Sequence, residues 1–285
     1  MTENYRIAGI DFQLIGDALP LRKPLFHFAS TEVPEPKCRV QMTDRPADVD
    51  PGYSYTNDLI RWANLGGSRE CFDSFDRSGN LISRALIGPG MREIELYLSK
   101  ALASPNHFMK PVMETLFYSL CISDGGVVLH ASAVGWKGGG ILFSAPSGTG
   151  KTTQAEMWIN NLGAEYINGD RTPLRFFGGL LHAYGSAWSG SANIYKNISL
   201  PLSAIVFLEQ SHKNMIRPLR LAEALRYMLP RCFLPYHSGS MMAVAMDNIS
   251  AVLEMAECWH LHCTPDIGAM ELVMECVMTS PVFRG

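Results

Sequence analysis

The sequence predicts an α/β fold preceded by a smaller, β-rich N-terminal lobe, and three observations support this prediction. From about residue 126 onward, short apolar segments alternate with stretches whose apolar residues recur at helical spacing. Within that region, the glycine-rich segment Ala145–Thr152 stands between a strand pattern and a helix pattern. Residues 1–104 instead carry many turn-forming residues between short apolar segments, which is typical of β-structure.

The length of the chain predicts two domains of unequal size, because 285 residues exceed the usual size of one domain. We place the N-terminal lobe at residues 1–104 and the α/β domain at residues 105–285. In the lobe, LISRALI and REIELYL are examples of the short apolar segments. At the join, residues 104–106 are expected to cap a helix over residues 107–121.

Composition excludes several classes of protein. The net charge is −3 and no basic run stands out, so nucleic acid is not an expected partner. The N-terminus lacks the pattern of a signal peptide, and no apolar stretch approaches the roughly 18 residues of a membrane span. The chain has 7 cysteines, an odd number, and they are scattered along the sequence, which favours free thiols. We therefore expect a cytoplasmic protein without a membrane partner.

The second domain shows an ordered alternation of strand and helix patterns. Strands are predicted over GVVLHASAVGW (126–136), ILFS (141–144), AEYIN (164–168) and SAIVFLE (203–209). Helices are predicted over KTTQAEMWINNL (151–162), LRLAEALRYML (219–229), MDNISAVLEMAE (246–257) and PDIGAMELVMECVM (265–278).

The segment APSGTGKT matches the P-loop pattern G-x-x-x-x-G-K-[ST] at every fixed position except the first, where Ala145 replaces glycine. In such a loop, the glycines let the backbone N–H groups converge on one phosphate, and the following helix adds partial positive charge. Lys151 would reach the β- and γ-phosphates, and Thr152 would offer its hydroxyl to Mg²⁺. The residues expected to hold the nucleotide are Ser147, Gly148, Thr149, Gly150, Lys151, Thr152 and Thr153.

A P-loop enzyme also needs a carboxylate near the metal, and the sequence offers two candidates. Asp170 follows a short strand one helix after Lys151, and a strand returning beside the P-loop strand would bring it to the Mg²⁺. Glu209 ends the apolar run SAIVFLE, where a solvated strand end is the simpler interpretation. His130 ends an apolar segment before the P-loop hairpin, where a histidine is either a core residue or a catalytic one.

Three motifs together, LHASAV, SAPSGTGKTT and INGDR, resemble the C-terminal catalytic domain of HPr kinase/phosphorylase. The P-loop fold of that family is similar to that of phosphoenolpyruvate carboxykinase, and the resemblance covers roughly residues 130–277. It implies a P-loop core of this type, with His130 near the transferred phosphate. It also implies that Asp170 takes one of the acidic roles.

The resemblance departs from the kinase pattern at Gly169, where the family has the first of two aspartates, the one assigned as base to the acceptor hydroxyl. If the sequence instead follows the Gly-Asp pattern of the carboxykinases, Asp170 is the metal ligand and no carboxylate is missing. We assign the Mg²⁺ ion to Thr152 and Asp170.

Two further segments carry residue types that are used in binding and catalysis. The stretch HAYGSAWSGSANIYKN (182–197) could place Ser189, Ser191 and Lys196 around a phosphate or an acceptor, or it could be an ordinary surface loop. The segment CWHLHC (258–263) contains two Cys and two His, but strand alternation divides them between two faces. A buried strand without metal is therefore expected there, and Asp266 is expected in the first turn of the next helix.

These observations favour an ATP-dependent kinase that uses Mg²⁺, with Asp170, His130 and Lys151 as the catalytic residues. Its acceptor would be a hydroxyl group, of the serine type, on a protein, a peptide or a small molecule. The alternative is a catalytically degenerate nucleotide-binding module that serves as a sensor or assembly partner, and Gly169 favours this alternative. The sequence leaves open the acceptor, the direction of transfer, the phosphate donor and whether the chain forms a homo-oligomer.

Overall fold

The computed structural model describes residues 2–16, 24–31, 33, 35–57, 59–102, 108–280 and 282, and it has a mixed α/β fold. The chain divides into two units: residues 1–124 with 235–242, and residues 125–234 with 243–285. The first unit therefore extends beyond residue 104, where we expected the boundary, and it includes a short segment from late in the chain. Among the described residues, no helix is long and apolar enough to cross a bilayer.

The first unit is built on one mixed sheet, as the β-rich composition predicted. In the described residues, its strands follow the order β1-β2-β3-β8-β7-β6-β5-β4. The elements are β1 (Thr2–Ile7), β2 (Ile10–Ile15), β3 (Cys38–Thr43), β4 (Tyr55–Thr56), β5 (Ile60–Gly66), β6 (Arg69–Phe75), β7 (Leu81–Ile87), β8 (Glu93–Leu98) and helix α1 (Glu114–Ser123).

The α1 helix begins later than predicted. We expected helix from residue 107, but residues 108–113 form a turn that is interrupted at Lys110, and the α-helix begins at Glu114. Lys110 has an extended backbone, with φ −140 and ψ 125, because the ring of Pro111 disfavours the helical conformation of the residue before it. The predicted capping residues 104–106 lie outside the described residues.

The second unit contains the predicted alternation of strands and helices. Its strands are β9 (Val127–Trp136), β10 (Gly139–Ser144), β11 (Glu165–Asn168), β12 (Arg171–Phe177), β13 (Leu180–Tyr184), β14 (Ser199–Gln210), β15 (Met215–Pro218) and β16 (Cys258–Cys263). Its helices are α2 (Lys151–Leu162), α3 (Leu221–Met228), α4 (Gly239–Met255, which begins in the first unit) and α5 (Ile267–Val277). The sequence analysis did not predict β12, β13 and β15.

Three parallel strands define the edge of the sheet that matters for function. Strand β14 pairs in parallel with β10 on one side and with β16 on the other. Their carboxyl ends therefore meet at one edge, where ligands bind in open α/β sheets. Strand β9 runs antiparallel to β10, so that Ala131 lies opposite Ser144 and the beginning of β9 reaches the same edge.

Helices cover the sheet on both faces. Trp158 of α2 and Val273 of α5 pack with Phe143 and Val206 in one buried cluster. Met228 of α3 and Ile249 of α4 pack with Phe207 in the other. Neighbouring residues of a strand point to opposite faces of the sheet. The cluster to which a strand residue belongs therefore shows on which face the polar residues two positions away lie.

A partly buried histidine in the segment 235–242 of the first unit predicts a pH dependence of stability. His237 stacks on Trp62, with ring centroids 3.6 Å apart, and burial lowers its pKa from 6.5 to about 4. The unfolded state therefore binds a proton more readily, and we expect the free energy of unfolding to fall as the pH drops from 6.5 to about 4. The loss is at most about 1.4 kcal/mol for each pH unit.

Urea denaturation of the wild type and of His237→Gln across this pH range measures the effect. The variant has no group that titrates at this position, so its stability should fall less steeply. Equal slopes for the two proteins would show that His237 does not contribute.

Candidate functional site

The P-loop has the local structure that its sequence predicts. Residues 145–150 connect β10 to α2, and α2 begins at Lys151, as expected. Gly148 and Gly150 have φ angles of 79 and 115, in the left-handed region that favours glycine. Gly150 stands at the N-cap of α2 and has no side chain that could accept a hydrogen bond from the first N–H groups of the helix. These N–H groups and the helix dipole favour an anion at this position.

The Lys151 side chain folds back over the loop. Its Nζ donates hydrogen bonds to the carbonyl oxygens of Ala145, at 2.9 Å, and Pro146, at 3.2 Å. The residue is only 8% exposed. Burial lowers the pKa of its ammonium group, the charge of Arg231 lowers it further, and Asp170 opposes both effects. A phosphate group beside Lys151 would compensate for the solvation that the ammonium group has lost.

Asp170 reaches the same site by a different route from the one predicted. Strand β11, which precedes it, pairs with β9 and not with the P-loop strand β10. The prediction of direct pairing was wrong because β9 and β14 already occupy both edges of β10. Asp170 nevertheless lies close enough to Lys151 for each residue to shift the pKa of the other.

Asp170, His130 and Arg171 form a polar cluster. His130 Nε2 lies 2.9 Å from Oδ1 of Asp170, and the guanidinium of Arg171 pairs with Oδ2. Burial opposes the ionisation of Asp170 most strongly. The hydrogen bond with His130 and the charges of Arg171, His130 and Lys151 outweigh this effect, and the pKa of Asp170 is lowered. Asp170 is therefore a carboxylate at neutral pH.

The backbone around Asp170 is tightly packed. Asn168 Oδ1 accepts hydrogen bonds from the N–H groups of Asp170 and Arg171, each at 2.9 Å, and this turns the chain after β11. A side chain at Gly169 would place its Cβ 2.4 Å from Cβ of Ala192 and 2.8 Å from the carbonyl oxygen of Ser189. Both distances are impossible for a real Cβ, so an aspartate does not fit at residue 169 without a shift of the 189–192 segment.

Arg231 is a residue of the site that the sequence analysis missed. Its guanidinium lies 5.8 Å from the ring centre of Phe207 and 5.7 Å from that of Tyr227, and it donates to the carbonyl oxygen of Tyr227. Its Nε is buried without a hydrogen-bond partner. Arg231 follows Pro230 in the short segment after α3, where no motif marked it. Its charge lowers the pKa of Lys151, which connects it with the glycine-rich loop.

A cleft of about 680 Å³ lies beside the P-loop, within the size range of small-molecule sites. It is lined by Gly148, Thr149, Gly150, Thr153, Gln154, Gln210, Ser211, His212, Cys263, Thr264 and Pro265. The Gln154 amide lies near the Cys263 thiol, but neither of its polar atoms forms a hydrogen bond of good geometry. Because a buried amide without partners costs about 1–3 kcal/mol, a ligand that pairs with it would be favoured.

The other residues predicted for the nucleotide also lie at this edge. Ser147 is exposed in the loop, and Thr152 and Thr153 are exposed on the first turn of α2. The hydroxyl of Thr152 is an oxygen ligand of the kind that Mg²⁺ prefers.

In the segment 182–197, two of the three side chains that we considered already have partners within the protein. Ser189 is buried, and its Oγ accepts a hydrogen bond from the N–H of Ile194 at 2.6 Å. Lys196 pairs with Glu165, at 2.7 Å, at the far end of β11 from Asp170. Ser191 is exposed.

The CWHLHC segment is the predicted strand, β16, but its surroundings differ from expectation. Glu209, interpreted from the sequence as a solvated strand end, lies 3.1 Å from His260 and 4.0 Å from His262. Sequence alternation correctly placed both histidines on one face but could not identify the neighbouring strand. Asp266 caps α5, and its side chain accepts from the N–H of Ala269 at 3.2 Å.

No protein-family model matches this chain, and no curated protein has a similar sequence. Among solved structures, the HPr(Ser) kinase/phosphatase from Coxiella burnetii is similar to it, with a TM-score of 0.31 and 10% sequence identity. The similar region covers 53% of this chain and 93% of that chain. The similarity is confined to the level of the fold and carries no information about activity.

The packing at Gly169 gives a testable expectation. Gly169→Ala should destabilise the protein by about 1–3 kcal/mol, because the added methyl group must displace Ala192 and the backbone of Ser189. Chemical denaturation of both proteins measures the difference. Gly239→Ala is the control, since a Cβ at that position meets nothing within 4 Å. Equal stability of wild type and Gly169→Ala would mean that the 189–192 segment moves freely.

Proposed function

We propose that this protein is an ATP-dependent phosphotransferase that acts on a hydroxyl group of a protein, a peptide or a small molecule. One observation carries the proposal: the P-loop lysine lies beside a carboxylate that is hydrogen-bonded to a histidine. Lys151, Asp170 and His130 come from three separate segments of the second unit. This combination supports phosphate binding together with chemistry on a second molecule.

The charge of the site supports a polyanionic ligand. The carboxylate of Asp170 shares this region with the ammonium of Lys151 and the guanidinium groups of Arg171 and Arg231. Three cationic side chains therefore accompany one carboxylate, and Lys151 and Arg231 are both desolvated. A triphosphate would compensate for this excess of positive charge.

The nucleotide would bind across the edge of the sheet. Its phosphates would lie against the N–H groups of residues 147–152, with Lys151 released from the carbonyl oxygens of Ala145 and Pro146. Its nucleoside would occupy the adjacent cleft, where the Gln154 amide can both donate and accept hydrogen bonds.

Thr152 and Asp170 would hold a Mg²⁺ ion, since a hydroxyl and an ionised carboxylate are ligands suited to this cation. When bound, Mg²⁺ would neutralise charge that develops on the phosphates. The contribution of the chain itself is the position of Lys151, which can stabilise the same charge.

The acceptor hydroxyl would be activated by His130 and Asp170. A histidine at 2.9 Å from a carboxylate is suited to accept a proton, because the carboxylate stabilises the imidazolium that forms. Gly169 then does not represent a missing base. The packing of the 189–192 segment leaves no room for a side chain there, which supports the carboxykinase-like alternative for this strand end.

The second candidate, a binding module without catalysis, is favoured by one observation. Both carboxylate oxygens of Asp170 already have partners in His130 and Arg171. A nucleotide sensor would keep this cluster closed, whereas an enzyme must open it when Mg²⁺ and the acceptor bind.

The proposal predicts the effect of Lys151→Ala on nucleotide affinity. The β- and γ-phosphates would lose a charge-assisted contact that contributes about 1.5–3 kcal/mol. The affinity for Mg²⁺–ATP should therefore fall about 10- to 150-fold in calorimetric titration. Lys196→Ala, which removes a cation paired with Glu165, should bind as the wild type does. Equal affinity of folded Lys151→Ala and wild type would refute nucleotide binding at this loop.

A second prediction separates the enzyme from the binding module. Asp170→Asn should keep most of the nucleotide affinity, because Lys151 and the loop N–H groups remain. Phosphoryl transfer should fall about 100- to 10,000-fold, since an amide neither supports His130 as a base nor holds the metal. The measurement is transfer of label from γ-labelled ATP to serine-containing peptides and small hydroxyl compounds, beside hydrolysis of ATP.

Three outcomes of this assay are distinct. Transfer by the wild type that is lost in Asp170→Asn and in His130→Ala supports the enzyme. Nucleotide binding by the wild type without transfer or hydrolysis supports the module. Unchanged transfer in Asp170→Asn contradicts our assignment of the carboxylate, and Glu209→Gln is the next variant to test.

A further inference from the structure

Two neighbouring parallel strands bring two histidines and one glutamate together at their carboxyl ends. The register of β14 and β16 pairs Phe207 with His260 and Glu209 with His262. The three polar side chains therefore point to the same face, the face covered by α3 and α4. Their ligating atoms all lie within 4.8 Å of one another.

These distances are close to those of a coordination sphere. Glu209 Oε2 lies 3.1 Å from Nε2 of His260, and Glu209 Oε1 lies 4.0 Å from Nδ1 of His262. Ligands at about 2.0–2.1 Å from a tetrahedral zinc ion are about 3.3 Å apart. Because the Glu209 side chain is 55% exposed, a rotation of this side chain can adjust the distances from its oxygens to the two imidazoles.

The packing holds one imidazole in a defined orientation. The hydroxyl of Tyr227 lies 3.4 Å from Nδ1 of His260, on the side of the ring away from Glu209. Tyr227 itself stacks on Phe207, with ring centroids 5.5 Å apart. Metal-binding histidines usually have such an outer partner, which fixes the ring and the nitrogen that remains for the metal.

The charges around the cluster are compatible with a cation. His260 is 3% exposed, and its ring centre is 4.3 Å from that of the partly exposed His262, so one imidazole is buried and the other reaches solvent. Arg217 lies opposite His260 on β15, and its guanidinium pairs with Glu223 at 3.0 Å, which balances part of its charge. A metal ion would satisfy both imidazoles and the carboxylate together.

We propose that Glu209, His260 and His262 form a binding site for one zinc ion. Two imidazole nitrogens and one carboxylate oxygen are a ligand set that zinc uses when a fourth position stays open for water or another ligand. The half-exposed Glu209 places that open position toward solvent. The site revises the expectation that the CWHLHC strand binds no metal, because its third ligand comes from another strand.

The ion would also affect the neighbouring cleft. Gln210 and Cys263, which line the cleft, directly follow Glu209 and His262 in β14 and β16. By linking the carboxyl ends of the two strands, zinc would fix the wall of the cleft and stabilise the folded state through mass action. Zinc binding does not depend on the proposed phosphotransferase function.

The test is a calorimetric titration of the chelator-treated, full-length protein with zinc, without nucleotide and with an excess of Mg²⁺. The wild type should bind one zinc ion per chain and unfold at a higher temperature when loaded. His262→Ala should weaken binding at least about 100-fold, and Glu209→Gln should weaken it about 10- to 100-fold. Cobalt in place of zinc should give visible absorption bands of a four-coordinate site, lost in the same variants.

Two controls connect the ion with this cluster. His182→Ala removes a histidine of β13 outside the cluster, and Asp170→Asn removes the carboxylate beside the P-loop. Both should bind zinc as the wild type does. His260→Ala is the most severe variant, but His260 is buried, so the more exposed Glu209 and His262 decide the result if this variant does not fold.

The proposal is overturned if the wild type binds no zinc, or if folded His262→Ala and Glu209→Gln bind it with wild-type affinity. It is also overturned if Asp170→Asn alone abolishes binding, since the ion would then belong to the P-loop site. None of these results tests nucleotide binding, which is tested separately by the calorimetric titration of Lys151→Ala with Mg²⁺–ATP.

Discussion

The candidate site depends on one close approach of two backbone segments. The 189–192 segment lies directly against Gly169 and Asp170, and a Cβ at Gly190 would meet Cγ of Asp170 at 2.9 Å. Gly169 thus faces the 189–192 segment, and Gly190 of that segment faces Asp170. A side chain at either glycine would push the two segments apart. Ser186 adds a bond from its Oγ to the carbonyl oxygen of Arg171 at 2.8 Å. The direction of the Asp170 carboxylate follows from this packing.

The close packing of the 189–192 segment changes the interpretation of Gly169. In a comparison of motifs, Gly169 is a position where a kinase aspartate is absent. In the structure, the 189–192 segment occupies the space that a side chain at Gly169 would need. The carboxylate of Asp170 next to this glycine is paired with His130, whose Nε2 lies 2.9 Å from Oδ1. The glycine at residue 169 is therefore a requirement of packing.

The sequence predicted local structure well and relations between distant segments less well. The positions of α2 and β16 follow from helical spacing and strand alternation, and the structure confirms them. The glycine-rich segment also forms the predicted loop between β10 and α2. The late start of α1 comes from Pro111, whose effect on Lys110 outweighs the apolar spacing. The chemical roles of Lys151, Asp170 and His130 remain predictions.

The relations that the sequence missed all depend on strand order and register. Nothing near Glu209 in the chain indicates that β16 will lie beside it, yet this pairing creates the cluster with His260 and His262. Arg231 likewise reaches the site through the path of the chain after α3. The pairing of β11 with β9 was missed because the local pattern does not show that both edges of β10 are occupied.

The order of the chain has a consequence for biosynthesis. The first unit includes residues 235–242, and His237 of this segment stacks on Trp62. A ribosome must therefore make residues 125–234, most of the second unit, before it supplies the last part of the first. The N-terminal unit cannot complete its packing while it is the only part of the chain that has emerged. The first unit completes its folding only after most of the second unit has been synthesised. Both units are therefore incompletely folded, and accessible to chaperones and proteases, during the same stage of synthesis.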